Sequence, residues 1–272
     1  MPDEFDFPPI VYKYRTWDDI HHQNMLRKNE LYLSSPADFN DPFDCRIPEN
    51  YYLLDTQEKI SEYIGGFMER NTEGMLRAGE DPDKQVSFLQ NELTENIAKF
   101  QAYSERTMFK RQDDHYGVLS LSSKWDNILM WSHYAKNHRG YCIGFHEPML
   151  RNAKMFGKGG MVIPANDDNF PQIDPRNQNL MEKAIIETHS KAQEWAYENE
   201  YRLTCLMFPS VPSREERKRF VPDEFIAELI IGLQTSDVDR KEIVSIAAEK
   251  KIPVYQAIKV PFKFLIERIQ IA

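Results

Sequence analysis

YENEYRLTCLMF, from Tyr197 to Phe208, is the stretch whose reading decides the fold. It carries two carboxylates two residues apart, Glu198 and Glu200, into a segment that turns strongly apolar. Read as a strand, alternate residues share a face, so Glu198, Glu200, Arg202 and Thr204 point one way and Tyr201, Leu203 and Cys205 the other. One face is charged and the other belongs to a core. A solvated Glu–Arg ladder explains the charged face at little energetic value. The aromatic flank WAYENEYRL fits equally a face that lines a partly enclosed pocket, where a carboxylate without a purpose is costly.

Working outward, IVYKYR at 10–15 reads as a strand, followed by a helix with Thr16 as N-cap and Asp18 and Asp19 in its first turn. ELYLSS is a second strand that runs into PADFNDPFD, a loop fixed by its prolines and Asx residues. Residues 55–111 shift to Glu, Lys, Gln and Ala with spaced apolars, which predicts two helices. Strand patterns return at YGVLSLSS, 116–123. The amphipathic helix DNILMWSHYAKNH follows, with Gly140 where a C-cap would sit, and then the strand YCIGF. Residues 154–179 form an irregular connection around MVIPA, and NLMEKAIIETHSKAQEWAYE is helical up to the opening strand. FIAELIIGL and IPVYQAIKV flank the helix DVDRKEIVSIAAEK, and FKFLIERIQI closes the sequence in extended form. This order predicts a single α+β domain over 1–272 with a mixed sheet system and a helical insertion at 55–111.

Composition narrows the function classes. Hydrophobic residues at 41% and aromatics at 12% over 272 residues support a folded core. With 43 acidic against 34 basic residues the net charge is −9, which argues against non-specific DNA binding. Three scattered cysteines form neither a disulfide framework nor a zinc ribbon, so a reduced, cytoplasmic setting is expected. MPDEFDFPPI lacks the pattern of a leader, and no apolar run approaches the roughly 20 residues that span a bilayer.

Three groups of residues invite chemistry. Asp38, Asn40, Asp41 and Asp44 crowd one loop, but their spacing suits turn capping, with Phe39 and Phe43 plugging the core, and it lacks the Gly and Glu of a calcium loop. Trp131, His133, Tyr134 and His138 cluster on one helix. Two histidines five apart suit no shared metal, yet the cluster offers a stacking wall for a planar ring. A hydrolase or nuclease would instead gather Asp41, Asp44, Glu198 and Glu200 around Mg²⁺. A non-enzymatic ligand-binding module would use the aromatic helix and basic side chains alone.

The runs YKYR, LYLSSPADFNDPFD, LMWSHYAKNHRGYCIGF, EWAYENEYRL and IIGL together resemble a widespread bacterial family known as a domain of unknown function. More distantly, the chain is similar to the ADP-ribosyltransferase fold. YKYR, a helix and LYLSS look like its opening β-α-β; LSLSS and the Tyr134 helix look like its central part; NEYRL looks like its catalytic strand. That resemblance implies a split, mixed and antiparallel sheet, and an enzyme using NAD as a substrate, with no metal, as a toxin or defence effector acting on a protein or nucleic acid. It implies Glu200 as the catalytic carboxylate, and Tyr14 or Arg15 on the NAD diphosphate and ribose. Trp131 and Tyr134 would stack near nicotinamide, with His133, His138, Glu198 and Arg202 as further candidates. The sequence departs from that fold's pattern at the first strand, which has no clear His, and at the centre, which has no Ser-Thr-Ser run.

Overall fold

The structure, a computed structural model, describes residues 7–272; Met1–Asp6, part of the stretch read for a leader, lie outside the described residues. The chain opens with β1 (Ile10–Arg15), α1 (Ile20–Arg27) and β2 (Glu30–Tyr32). Three helices follow, α2 (Gln57–Arg77), α3 (Pro82–Glu95) and α4 (Ile97–His115). The middle holds β3 (Tyr116–Ser122), α5 (Ile128–Tyr134), β4 (Tyr141–His146), α6 (Glu147–Asn152), β5 (Lys158–Met161) and β6 (Ile163–Ala165). The last part holds α7 (Leu180–His189), β7 (Ser190–Ala192), β8 (Glu200–Leu206) and β9 (Lys218–Phe220). It closes with β10 (Ile226–Ile231), α8 (Asp237–Glu249), β11 (Val254–Lys259) and β12 (Ile266–Gln270).

Eight strands form one sheet in the order β12-β11-β10-β4-β1-β3-β8-β5, and β2–β9 and β6–β7 form two small ribbons. Within the large sheet β10 and β11 run parallel and the other neighbours antiparallel, so the fold is α+β with a mixed sheet. The strands bearing Arg15, Leu119 and Glu200 are consecutive neighbours. Between two of them the ladder nearly fails: β1 and β3 share the single register pair Tyr12–Ser122, whereas β1 follows β4 from Ile10–His146 to Arg15–Tyr141. A seam therefore divides β12-β11-β10-β4-β1 from β3-β8-β5. Tyr201 and Leu203 of β8 join Leu119, Leu121, Ile143 and Phe145 in the main core.

Local chemistry moves several expected boundaries. The first helix is capped by Asp19, whose carboxylate accepts from the His21 amide at 2.7 Å, rather than by Thr16. The insertion holds three helices instead of two: Asn96, at φ −132° and ψ 29°, leaves the helical conformation, ending α3 and opening α4. Tyr51, Ile60, Tyr63, Leu89, Leu93 and Phe100 give it a small core of its own. The helix expected through Glu198 stops at His189, since Ser190–Ala192 pairs in parallel with Ile163–Ala165. Phe43 plugs nothing and is 76% exposed. Gly140 is not a left-handed cap either. The left-handed residues after α5 are Lys136, Asn137 and His138, and Gly140 is required because a Cβ there would sit 2.0 Å from the Arg15 carbonyl oxygen. Among the described residues no helix is long and apolar enough to cross a membrane.

Candidate functional site

Where β1 and β3 diverge, a cavity of about 470 Å³ opens between them, within the usual range for small-ligand sites. β1 contributes Lys13, Tyr14 and Arg15, and β3 contributes Ser120. The Asx loop places Phe39 and Asn40 over it, α5 adds His133 and Tyr134, and Lys191, Trp195, Glu198 and Glu200 close the far side.

The far wall is an ion network. Glu198 ends a short 3-10 helix, Asn199 adopts φ 46°, and Glu200 begins β8, so a left-handed residue rather than strand alternation brings the two carboxylates together. Both converge on the ammonium of Lys191, at 2.6 Å for Glu198 and 3.0 Å for Glu200. Tyr134 donates its hydroxyl to the other oxygen of Glu198 at 2.6 Å. Behind them Arg202 is wholly buried. Its Nε and Nη2 reach Glu200 at 2.6 and 2.9 Å, and its Nη1 and Nη2 hold Asp44 at 2.8 and 2.6 Å. The Thr188 carbonyl takes a further bond from Nη1 at 2.7 Å. Three carboxylates, Asp44, Glu198 and Glu200, thus meet two cations, Lys191 and Arg202, which leaves one net negative charge. Burial pushes the Glu200 carboxyl up, but Arg202 and then Lys191 outweigh it and hold it down at about 2. Burial also lifts the Tyr134 phenol, helped by its bond to Glu198, so Tyr134 stays protonated as the donor.

The near wall is cationic and unmatched. Lys13 and Arg15 alternate onto one face of β1, and among the described residues neither meets a carboxylate within ion-pair distance. The Lys13 ammonium donates to the Ser120 carbonyl. The Arg15 guanidinium bonds the Tyr14 carbonyl at 3.4 Å, and its Nε is buried without a partner. Burial, with Arg15 adjacent, drives the Lys13 ammonium well below its ordinary value, and burial lowers Arg15 as well. Two desolvated basic groups without an ion-pair partner among the described residues make a seat for an anion.

The sequence candidates divide accordingly. Tyr14, Arg15, His133, Tyr134, Glu198 and Glu200 line the cavity. Trp131 does not. It is fully buried, its ring meets Tyr14 edge-on at 5.2 Å, and its indole N–H donates to the Trp125 carbonyl, so it is a core residue rather than a stacking wall. His138 lies against the far side of Trp131, stacked at 6.0 Å, and is also absent from the cavity wall. Arg202 supports Glu200 from behind instead of facing outward. Sequence reasoning missed Lys13, Lys191 and Trp195. Lys13 was legible, since strand alternation pairs it with Arg15; Lys191 was hidden inside a run read as helix.

For the hydrolase expectation, Asp44, Glu198 and Glu200 do gather, but around Lys191 and Arg202. Asp41 stays in its turn, accepting from the Phe43 amide at 2.9 Å. Among the described residues no group of three His, Cys, Asp or Glu side chains is arranged to hold a metal ion.

The family model described as Protein of unknown function (DUF2971) matches residues 130–203, from α5 to the middle of β8, in accord with the resemblance read from the motifs. That segment holds His133, Tyr134, Lys191, Glu198, Glu200 and Arg202. No curated protein and no solved structure matches the chain.

Proposed function

We propose that the protein is an ADP-ribosyltransferase-like enzyme that uses NAD as a substrate and transfers ADP-ribose to a protein or nucleic acid acceptor. One observation carries this reading: across a single cavity, Lys13 and Arg15, which meet no carboxylate within ion-pair distance among the described residues, face Glu198 and Glu200, whose network with Asp44, Lys191 and Arg202 retains one net negative charge. A dinucleotide with an anionic diphosphate and a ribose that turns cationic during reaction needs both walls.

In the proposed reaction the diphosphate lies on Lys13 and Arg15. Tyr134 and Phe39 supply aromatic surface to the nicotinamide end. The bond between ribose C1′ and the nicotinamide nitrogen breaks, its electron pair leaves with nicotinamide, and the ribose develops oxocarbenium charge. Glu200, ionised at any ordinary pH, stabilises that charge. The acceptor nucleophile then bonds to C1′ and gives up its proton to solvent. Arg202 and Lys191 fix the carboxylate in place beforehand, so little reorganisation accompanies charge development.

The test is nicotinamide release from NAD, with and without cell extract as acceptor, by wild type and Glu200→Gln. Wild-type turnover that falls by about 10²–10³ in the variant is expected, the scale of losing one fixed electrostatic stabiliser. Wild-type protein that neither binds nor consumes NAD overturns the proposal.

A further inference from the structure

At the C-terminal end of β8 lies a second cavity, of about 430 Å³, between α7, the end of β8 and the Lys154–Gly157 loop. Its chemistry is unlike that of the first. Met155, Phe156, Leu180, Met181, Ile185 and Leu206 make an apolar wall. Leu180 and Leu206 remain 69% and 55% exposed to solvent there. Of the three hydroxyl residues on the wall, Tyr116, Thr188 and Thr204, the first two turn their polar groups inward. Tyr116 donates to Glu187 at 2.9 Å, and Thr188 donates to the Ala184 carbonyl at 2.5 Å. Among the described residues no carboxylate lines the cavity, in a chain with 43 acidic residues. Lys154 does line it, exposed and in no ion pair among the described residues. Just behind, the Arg219 guanidinium lies against the Cys205 sulfur at 3.9 Å and the Met155 carbonyl at 3.3 Å, again with no carboxylate partner among the described residues.

An apolar hollow with an unpaired ammonium at its edge and, among the described residues, no lining carboxylate suits a hydrocarbon chain that ends in a negative charge. We infer that this cavity binds a medium-chain acyl anion, the chain lying against α7 and the carboxylate meeting Lys154. The inference stands apart from the NAD reading and uses none of the residues of that site as ligands. Its wall does touch that site's support, because the Thr188 carbonyl that borders the hollow also holds Arg202, the partner of Glu200.

Decanoate, octanoate and 1-decanol titrated into the full chain by calorimetry test this. Decanoate is expected to bind at one site and more tightly than octanoate. Each methylene that enters the hollow tightens binding about fourfold, equivalent to about 0.8 kcal/mol, so the pair should differ by about 15-fold. Lys154→Glu, at an exposed position that leaves folding intact, should weaken decanoate by at least tenfold and leave 1-decanol unchanged. Ala184→Phe should abolish both while the melting temperature shows that the protein is folded. The inference is overturned if decanoate does not bind, or if 1-decanol binds as tightly as decanoate and Lys154→Glu changes neither. It is equally overturned if the apolar wall is covered by a second copy, seen as concentration-dependent dimerisation that Ala184→Phe removes.

Discussion

Glu200→Gln isolates the charge of one carboxylate at nearly constant shape, and the network around it fixes what should follow. The Glu200 carboxyl sits at about 2 in the folded chain against an ordinary 4.5. A depressed acid contributes stability that is fully present above the unfolded value of 4.5 and is lost as pH falls through the folded value. The difference of about 2.5 units corresponds to about 3 kcal/mol at neutral pH, under half of which survives at pH 3 and none well below pH 2. The variant never has this contribution. It should melt lower than wild type at pH 7 by about 6–12 °C, taking about 2–4 °C per kcal/mol for a chain of this size. The gap should narrow to under half as the buffer is taken down to pH 3. The variant should still fold, because two carboxylates, Asp44 and Glu198, then balance two cations, Lys191 and Arg202. Thermal unfolding followed by circular dichroism at pH 7, 5 and 3 makes the comparison. A gap that stays constant from pH 7 to pH 3, or no gap at all, would show that Glu200 is not an anion clamped by Arg202 and Lys191, and the electrostatic argument for the site would fail with it.

Three other expectations are open to direct measurement. Because burial drives the Lys13 ammonium down, its protonated form, the one that attracts phosphate, should be depleted as pH rises. ADP-ribose affinity should fall with rising pH, below the pH at which an ordinary lysine titrates, in wild type and stay flat in Lys13→Met; parallel profiles by calorimetry would contradict this. Asp41→Ala removes the carboxylate that ties the Phe43 amide and should cost about 1–3 kcal/mol of stability in chemical denaturation, whereas a variant with unchanged stability and lost cation binding would revive the metal reading. Gly140→Ala forces a methyl into the Arg15 carbonyl, so it should lower the melting temperature by the equivalent of about 1–3 kcal/mol and weaken ADP-ribose binding together; full affinity in the variant would separate Arg15 from the anion seat.

Periodicity made the strands legible. The alternation of YKYR and of EYRLTCL follows from pleat geometry, and β1, β3 and β8 fall where it puts them. It said nothing of contacts made by chain reversal. Glu198 and Glu200 meet on Lys191 through the left-handed Asn199, which no period predicts, and β7 exists only because β6 lies beside it. Aromatic residues were the least decidable. Trp131 and Tyr134 sit three apart on one helix, yet Trp131 is sealed in the core and Tyr134 faces the cavity, a difference set by where Tyr14 and Glu198 happen to lie. The Asx loop was read correctly as turn chemistry at Asp41. Asp44, read as the same, instead anchors the loop to β8 through Arg202.

The lone register pair between Tyr12 and Ser122 also bears on cooperativity. β1 is in the middle of the sheet by order but has an edge strand's hydrogen bonding on one side, so the two halves of the sheet share almost no backbone ladder. Such halves open independently unless something spans them, and the Lys13 ammonium on the Ser120 carbonyl is one side-chain bridge across the gap. A ligand lying between Arg15 and Glu200 would act as the missing crosslink. Amide hydrogen exchange in β1 and β3 should then slow together when the cavity fills, while β10 and β11, far from the seam, keep the rates they had when it was empty.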